Sequence, residues 1–381
     1  MAGDQRGERR FVAALAPRHQ LSVCFDTLHR GKFPASIPDG AARAKRNLPS
    51  AAGCGTRRSM LYRTFGKTGW RIGQIGLGCW QFGGALTLDG QPDGWAGVTD
   101  AESIATIQKA VDLDVNFFDT ADQYGWGHSE ELLGRALKET HARSRVYIAS
   151  KVGFWYDAEG RRTLNESRDY ILAACDASLR RLQTDYLDLY QCHLGRTERW
   201  PEFLAAFDRL QYQGKIRYFG VSTNDFDMVL RFDSDQKLTA VQGNYNLLNR
   251  AAETDILPYC RARGIAFIAR GPLARGLLTG KYHLHSRLDP DDNRNRWFAP
   301  EHRDALARDL QVVERLRPVA GKIGCNLAQL AIKFALSHVA VAVVIPGAKN
   351  RAQLEENVAT LLLPPFTADE QAAIRQALAA P

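Results

Sequence analysis

Four residues whose side chains can transfer or polarise a proton lie at or near the ends of three short apolar segments. Asp119 is near the end of VNFFDT, and Tyr124 follows it by five residues. Lys151 ends VYIASK, and His193 ends YLDLYQCH. A phenol is a poor acid at neutral pH unless a nearby cation lowers its pKa. A lysine would supply that cation, an aspartate would hold the ammonium, and an imidazole would donate to the oxygen that receives the proton.

These segments belong to a pattern of short β-branched strands and amphipathic helices that begins at Met60. The predicted strands are residues 72–80, 115–120, 145–151, 185–193, 215–222, 238–245, 265–270 and 340–348. Repeated βα units predict a parallel sheet, and eight of them predict the α/β class and a single-domain (β/α)8 TIM barrel over residues 60–381. The carboxyl ends of barrel strands meet at one mouth, so this fold would bring the four side chains together.

Helices are predicted between the strands, at 101–113, 129–139, 167–182, 200–214, 225–232 and 253–264, twice within 302–337, and from about residue 350. Ser129 is predicted to be the N-cap of the second helix, since a hydroxyl can accept from the first free N–H groups. The polar segment 271–300 follows the seventh strand and exceeds what a minimal barrel requires. Loops of that length on the mouth side are usually either functional or disordered.

Composition excludes several classes of protein. A chain of 381 residues with 45% hydrophobic and 24% charged residues suits one soluble barrel with additions. Since there is no apolar run of 18 residues, no transmembrane helix and no membrane partner are predicted. The seven cysteines form no C-x-x-C pair and give no zinc spacing, which indicates reduced thiols, a cytoplasmic protein and no metal site.

The net charge of +8 comes almost entirely from residues 1–59, which contain 11 Lys or Arg and 4 Asp or Glu. The rest of the chain is near neutral, so no nucleic-acid-binding face is predicted. Three interpretations of residues 1–59 stay open: a disordered extension, upstream sequence translated from a misplaced start, or an Arg-rich targeting peptide. The extension is left out of the fold prediction.

The domain resembles the aldo-keto reductase superfamily, and most closely its bacterial-type, aldehyde-reductase-like branch. The resemblance runs from Met60 to about residue 379 and includes YRTFGKTGWRIGQIGLGCW, NFFDTADQYGWGHSEELLGRAL, SKVG, DYLDLYQCH, GKIRYFGVS, VQGNYNLLNR, GPLARGLLTGKY and VIPGAKNRAQLEENV. Eight motifs in the same order are highly specific. The resemblance implies a (β/α)8 barrel that reduces small-molecule carbonyl compounds, or oxidises alcohols, with an extended NADP(H) or, less favoured, NAD(H).

The resemblance also implies roles for individual residues. The catalytic tetrad would be Asp119, Tyr124, Lys151 and His193. The cofactor-binding residues would be Ser222, Gln242, Arg270, Leu273, Gly276, Leu278, Lys281, Gly347, Lys349, Gln353, Glu356 and Asn357. Trp80, Trp126 and Trp155 would line an apolar substrate pocket. Lys349 is the candidate contact to a 2′-phosphate, whereas Gln353 stands where many relatives carry Arg. Thr223 and Arg270 also depart from the family, which often has Asn and an aromatic residue at these positions.

Two other functions are compatible with parts of this pattern. Some members of the fold act as channel β-subunits, so a non-enzymatic NADPH-binding redox sensor is the alternative to a reductase. A lysine at the mouth of a barrel can also form a Schiff base, with Lys151 as the nucleophile of an aldolase. The cofactor motifs favour the reductase. The sequence predicts neither the physiological substrate nor the oligomeric state.

Overall fold

The computed structural model describes residues 60–156 and 161–379. The predicted disordered extension, residues 1–59, lies outside the described residues. Eight parallel strands form one sheet: β1 (Leu77–Gly78), β2 (Phe117–Asp119), β3 (Tyr147–Val152), β4 (Leu187–Cys192), β5 (Ile216–Ser222), β6 (Ala240–Asn244), β7 (Ala266–Arg270) and β8 (Val341–Ile345). Each strand pairs with its neighbour in chain order.

The sheet closes on itself where the first strand meets the last. Parallel bridges join Ile75 to Val344 and Gly78 to Gly347. Glycine at position 78 suits this close approach, because a Cβ there would lie 3.0 Å from the carbonyl oxygen of Ile345. The prediction of a (β/α)8 barrel is therefore confirmed.

Helices surround the barrel: α1 (Asp100–Asp112), α2 (His128–Glu139), α3 (Arg168–Leu182), α4 (Trp200–Tyr212), α5 (Phe226–Phe232), α6 (Ile256–Arg263), α7 (Arg303–Ile323), α8 (Leu327–Ser337), α9 (Arg351–Ala359) and α10 (Ala368–Ala379). None of the helices within the described ranges is long and apolar enough to cross a membrane. The apolar faces of α1 to α6, α8 and α9 pack on the outer face of the strands in the largest buried cluster, whereas α7 and α10 pack with part of α8 in a separate cluster.

Side chains alternate between the barrel interior and this outer layer, as the pleat of a strand requires. On β4, Leu189 belongs to the small interior cluster, whereas Tyr190 and Cys192 pack outside against the helices. Gln191 and His193 therefore share the inward face of this strand and its end. The alternation decides which residues of each motif reach the mouth.

The first predicted strand is wrong in its extent. Residues 72–80 divide into Arg71–Gly73, which pairs antiparallel with Tyr62–Thr64, and β1 itself. The amide of Gln74 also donates to the carbonyl of Leu61, so the first half of the predicted strand belongs to the hairpin. Both parts belong to one apolar run of the sequence, so the pattern alone did not separate the hairpin strand Arg71–Gly73 from the barrel strand β1.

The predicted N-cap of α2 is also wrong. Gly127 occupies that position with φ 94°, and Ser129 lies inside the helix. The buried hydroxyl of Ser129 donates to the carbonyl of Cys79 and contacts the hydroxyl of Thr120. It therefore ties α2 to the ends of β1 and β2 instead of capping the helix.

Candidate active site

Three of the four predicted proton-transfer residues are in direct contact at the carboxyl ends of β2 and β3. The Lys151 ammonium donates to Asp119 Oδ2 at 2.7 Å, to the Thr120 carbonyl at 2.7 Å and to the Tyr124 hydroxyl at 3.2 Å. Strand register fixes the first contact, because β2 and β3 pair in parallel and Asp119 lies opposite Ala149. The side chain of Lys151 is fully buried, so three acceptors replace its hydration.

The electrostatics of this group favour a protonated lysine. Burial lowers the pKa of Lys151, but the Asp119 carboxylate and the Tyr124 hydroxyl outweigh burial, and the net pKa lies above the ordinary value. An ammonium held in this way is a poor nucleophile, which opposes the Schiff-base interpretation. Burial raises the pKa of Tyr124, whereas the Lys151 ammonium acts to lower it. The net shift is upward, so the lysine offsets only part of the effect of burial.

His193 lies against the same tyrosine. Its ring centroid is 5.8 Å from that of Tyr124 and 5.4 Å from that of Phe154, in edge-on arrangements. Burial, together with the charges of Lys151 and Arg270, holds the pKa of His193 well below its usual range. The imidazole is therefore neutral at pH 7. Its Nδ1 atom is buried and has no hydrogen-bond partner among the described residues.

The predicted nicotinamide-binding residues lie at the ends of the next three strands. Ser222 donates to Gln242 Oε1 at 3.4 Å, and Gln242 Nε2 donates to Asp119 Oδ1 at 2.7 Å. The guanidinium of Arg270 contacts Asn224 Oδ1 at 3.4 Å, and its buried Nε has no partner within the described part of the chain. Burial lowers the pKa of Arg270. Hydrogen bonds therefore join Ser222 and Gln242 to Asp119, Lys151 and Tyr124 in one network.

The departure at Thr223 has a structural explanation. Its hydroxyl donates to the carbonyl of Gly195 at 2.6 Å and accepts from the amide of Asp225. Thr223 therefore fastens the loop after β5 to the loop after β4. The adjacent Asn224 provides an amide side chain here, and its Oδ1 also accepts from the backbone of Asn244.

The segment after β7 contains four predicted cofactor residues: Leu273, Gly276, Leu278 and Lys281. The Leu273 carbonyl accepts from the amides of Gly276 and Leu278, so the chain forms a tight turn. Arg275 and Gly276 have φ of 56° and 104°, in the left-handed region that favours glycine. Leu278 is fully buried in the cluster formed with α7 and α8, so only its main chain can face a ligand. Lys281 is exposed.

The predicted adenosine-side residues are spread over β8, its loop and α9: Gly347, Lys349, Gln353, Glu356 and Asn357. Lys349 Nζ donates to the Ala96 carbonyl at 2.7 Å and lies 4.0 Å from the Asp292 carboxylate. Burial, followed by the charge of Arg294, lowers the pKa of Lys349. The long segment after β7 therefore places both an anion and a cation beside the predicted phosphate contact.

The other members of this set are engaged by the protein itself. Gln353 Oε1 accepts from the amide of Lys349, and the side chain of Asn357 donates to the Gly347 carbonyl. Glu356 accepts from the side chain of Asn326, which also caps α8. The structure does not bring these side chains together in one cluster, in contrast to the tetrad.

The three tryptophans have different surroundings. The ring of Trp80 lies 6.1 Å from that of Tyr124 between centroids, beside the proton-transfer group. Trp126 packs on Tyr156 at 3.7 Å. Trp155 meets Tyr170 edge-on and is 47% exposed. Only Trp80 among the three has a ring contact with Tyr124.

Several residues at the mouth were not predicted. The Arg275 guanidinium lies 5.4 Å from the centroid of the Trp80 ring. Arg294 forms a bidentate salt bridge with Asp292 beside the ring of Trp95. Their positions depend on folded loops, for which the sequence gives no periodic signal. Gln191 was also missed, although its position two residues before His193 places it on the same strand face. No metal-binding cluster of three or more His, Cys, Asp or Glu occurs among residues 60–156 and 161–379.

Comparisons with known proteins agree with this arrangement. A sequence model of the aldo/keto reductase family matches residues 74–379. Aldo-keto reductase YhdN of Bacillus subtilis (strain 168) is 34% identical over 307 residues, which cover 78% of this chain and 87% of that protein. The NADH-specific methylglyoxal reductase of Escherichia coli (strain K12) is 30% identical over 311 residues, which cover 78% and 92%.

A solved structure is similar over most of the barrel. The glycerol dehydrogenase AKR11B4 from Gluconobacter oxydans superimposes with a TM-score of 0.71 at 29% identity. The match covers 84% of this chain and 94% of that one. The matches by sequence and by structure therefore cover nearly the whole length of these three proteins.

Proposed function

This chain belongs to the aldo/keto reductase family, and we propose that it reduces aldehydes and ketones to alcohols with NADPH, using Tyr124 as the general acid. Aldo-keto reductases are oxidoreductases that act on small molecules with nicotinamide cofactors. The observation that carries the proposal is the buried contact of the Lys151 ammonium with both Asp119 and the Tyr124 hydroxyl. Carbonyl reduction needs a proton at the carbonyl oxygen, and the Tyr124 hydroxyl carries one.

The described residues fit a nicotinamide dinucleotide. When bound, the cofactor would supply a hydride to the carbonyl carbon. Buried polar atoms without protein partners, including Arg270 Nε, lie at the strand ends beside the tetrad. Ser222 and Gln242 would hold the carboxamide, because an amide offers and requires both donors and acceptors. The turn at Gly276 would pass over the pyrophosphate with its main chain.

Tyr124 would donate its hydroxyl proton to the substrate oxygen. Burial raises the pKa of the Tyr124 phenol, which makes it a weaker acid. Lys151 offsets part of this shift by stabilising the phenolate that remains after proton transfer. Asp119 fixes the ammonium in the orientation that reaches the phenol. The positive charge thus acts where negative charge develops, which is the general basis of electrostatic catalysis.

His193 would orient the substrate oxygen as a neutral hydrogen-bond donor. Its depressed pKa excludes an imidazolium as a second proton source near neutral pH. A neutral ring has one N–H and one acceptor nitrogen. If the proton of the neutral imidazole is on the nitrogen that faces Tyr124, His193 would donate to the substrate oxygen. That oxygen is the one that receives the proton of Tyr124.

The preference for NADP(H) is the finer part of the proposal and depends on Lys349. Its ammonium lies near the start of α9, where the helix dipole favours an anion. Glu102 and the side chain of Asn350 already accept from the amides of Arg351 and Gln353 there, so the proposal depends on the ammonium and not on free N–H groups. Asp292 at 4.0 Å acts against a 2′-phosphate, but Arg294 pairs with that carboxylate through two hydrogen bonds and neutralises it. A relative is described as NADH-specific, so the choice of cofactor needs a direct measurement.

Binding and turnover together test this function. Purified protein would be titrated with NADPH and with NADH while tryptophan fluorescence is followed, since Trp80 lies beside Tyr124. We expect tighter binding of NADPH and consumption of NADPH with a panel of small aldehydes and ketones. Tight binding without turnover on any carbonyl would instead favour the redox-sensor alternative. Binding of neither cofactor would contradict the proposal as a whole.

A further inference from the structure

The carboxylate of Asp119 has a second set of donors in addition to Lys151. Its Oδ2 accepts from the lysine, and its Oδ1 accepts from Gln242 Nε2 at 2.7 Å and from Gln191 Nε2 at 3.5 Å. Both glutamines are buried, with 1% and 0% exposure. Gln242 comes from β6, across the barrel from β2, and Gln191 comes from β4, two strands away from β2.

The chemistry of these groups fixes the orientation of the Gln242 amide. A carboxylate offers only acceptors, so the amide nitrogen must face Asp119 and the amide oxygen must face away. That oxygen accepts from the Ser222 hydroxyl at 3.4 Å. A continuous path of hydrogen bonds therefore runs from Ser222 through Gln242 and Asp119 to Lys151, and from there to Tyr124.

Packing alone does not explain why a glutamine occupies position 191. It lies inside the barrel opposite Lys151 on one neighbouring strand and Gly220 on the other. A Cβ at position 220 would lie 3.3 Å from the Gln191 side chain and 2.7 Å from the Ala240 carbonyl, so glycine leaves room there. The Oε1 atom of Gln191 is buried without a partner among the described residues. A leucine would fill the same space without a buried acceptor that lacks a donor.

We propose that Gln191 and Gln242 form an amide clamp that holds Asp119 in the rotamer in which it presents the Lys151 ammonium to Tyr124. The two glutamines are positioning residues, since they act on the tyrosine through Asp119 and Lys151. With Oδ1 fixed by N–H donors, the carboxylate cannot rotate away from the lysine without breaking them. This inference rests on the proposed function, and it gives Gln242 a task beyond the expected contact to the cofactor.

A double-mutant cycle between Gln242 and Asp119 tests the clamp. Gln242→Met keeps the length of the side chain and removes the donor, and Asp119→Asn changes the group that the donor serves. At saturating NADPH and aldehyde, we expect Gln242→Met to lower kcat about tenfold in the wild-type background and less than about twofold in the Asp119→Asn background. Effects that multiply instead would show that Gln242 acts independently of Asp119.

The same cycle can be measured by urea unfolding of the cofactor-free protein. If the clamp exists, the two substitutions shift the midpoint of unfolding by less than the sum of their separate effects. Additive shifts would overturn the proposal. This readout does not depend on turnover, so it tests the clamp even if the wild-type protein reduces no carbonyl compound and the proposed function fails.

Two matched variants separate the clamp from cofactor binding. Ser222→Ala removes a hydroxyl of the same path but no donor to Asp119, so we expect a higher Kd for NADPH and no coupling to Asp119→Asn. Gln191→Leu should lower kcat about threefold without lowering the midpoint of unfolding, because its bond is long and its acceptor is unpaired. It also keeps the clamp testable if Gln242→Met does not fold. A Gln242→Met protein with only a raised Kd and an unchanged kcat would contradict the clamp.

Discussion

The proton-transfer side of the mouth and the predicted adenosine side are built in different ways. Around Lys151, the partners come from the ends of barrel strands and from the loop after β2, and the side chains hold one another through hydrogen bonds of 2.7 to 3.2 Å. Around Lys349, the partners come from the loops that carry Ala96 and Asp292. Strand register determines the first arrangement, whereas contacts between loops determine the second. Function on the strand side is therefore the easier to predict.

The strongest test of this contrast is removal of the lysine itself. Lys151→Met would leave the buried Asp119 without its charged partner. We expect the free energy of unfolding to fall by about 3–5 kcal/mol and kcat to fall at least about a hundredfold, as measured by urea unfolding and by steady-state kinetics.

A surface pair provides the control for that experiment. Lys109 pairs with Glu355 at 2.7 Å, with side-chain exposures of 34% and 46%. Lys109→Met should therefore change the unfolding free energy by less than about 1 kcal/mol. Equal losses for the two lysines would show that burial at the mouth has no special importance.

The pH dependence of stability tests the environment of His193. Because burial lowers its folded pKa, the unfolded chain takes up a proton in a pH range in which the folded chain does not. Stability should therefore fall as pH decreases below about 6.5, the ordinary histidine pKa, by at most about 1.4 kcal/mol per unit from this group. The loss stops growing below the lowered folded pKa.

His193→Asn isolates this contribution from that of the other histidines. The difference in unfolding free energy between pH 8 and pH 5 should be smaller in the variant than in the wild-type protein. The same pH dependence in both proteins would mean that folding does not lower the pKa of His193, contrary to the effect expected from its burial.

On the adenosine side, Lys349→Gln should act on the cofactor alone. Loss of a charge-assisted hydrogen bond to a phosphate is worth about 1.5–3 kcal/mol, so we expect the KM for NADPH to rise about tenfold or more. The KM for NADH and the value of kcat should change little. Arg351 already pairs with Glu102, and Arg351→Gln serves as the matched variant with a smaller effect. Equal increases for both cofactors would remove Lys349 as a 2′-phosphate contact.

The smallest effect is expected from the exposed tryptophan. Trp155 lies edge-on to Tyr170 and is 47% exposed, so Trp155→Ala should change kcat/KM for aromatic aldehydes by less than about threefold. Trp80→Ala should have a larger effect because Trp80 lies beside Tyr124. The reverse order would place the substrate on the side of the loop after β3.

The sequence allowed prediction of the eight strands and most helices because their apolar periods are regular. It did not separate Arg71–Gly73 from β1, since both are short and lie in or beside one apolar run that begins at Ile72. The short hairpins Thr87–Leu88 with Gln91–Pro92 and Phe154–Tyr156 with Arg162–Leu164 were missed as well. Two- and three-residue strands are too short to establish a period.

The same limit applies at the site. The positions of Asp119 and Lys151 follow from strand ends, and the structure places them 2.7 Å apart. The surroundings of Lys349 depend on the Arg294–Asp292 pair, which lies within the long loop after β7. The roles assigned to the tetrad, to the cofactor-binding residues and to the three tryptophans all stay predictions.

The central claim is that Tyr124 donates the proton in carbonyl reduction, and Tyr124→Phe tests it most directly. Consumption of NADPH with an aldehyde should be compared between this variant and the wild-type protein, at cofactor concentrations well above the Kd measured for each. The account predicts a loss of at least about a hundredfold in kcat with nearly unchanged NADPH binding. Wild-type turnover in the variant would contradict it.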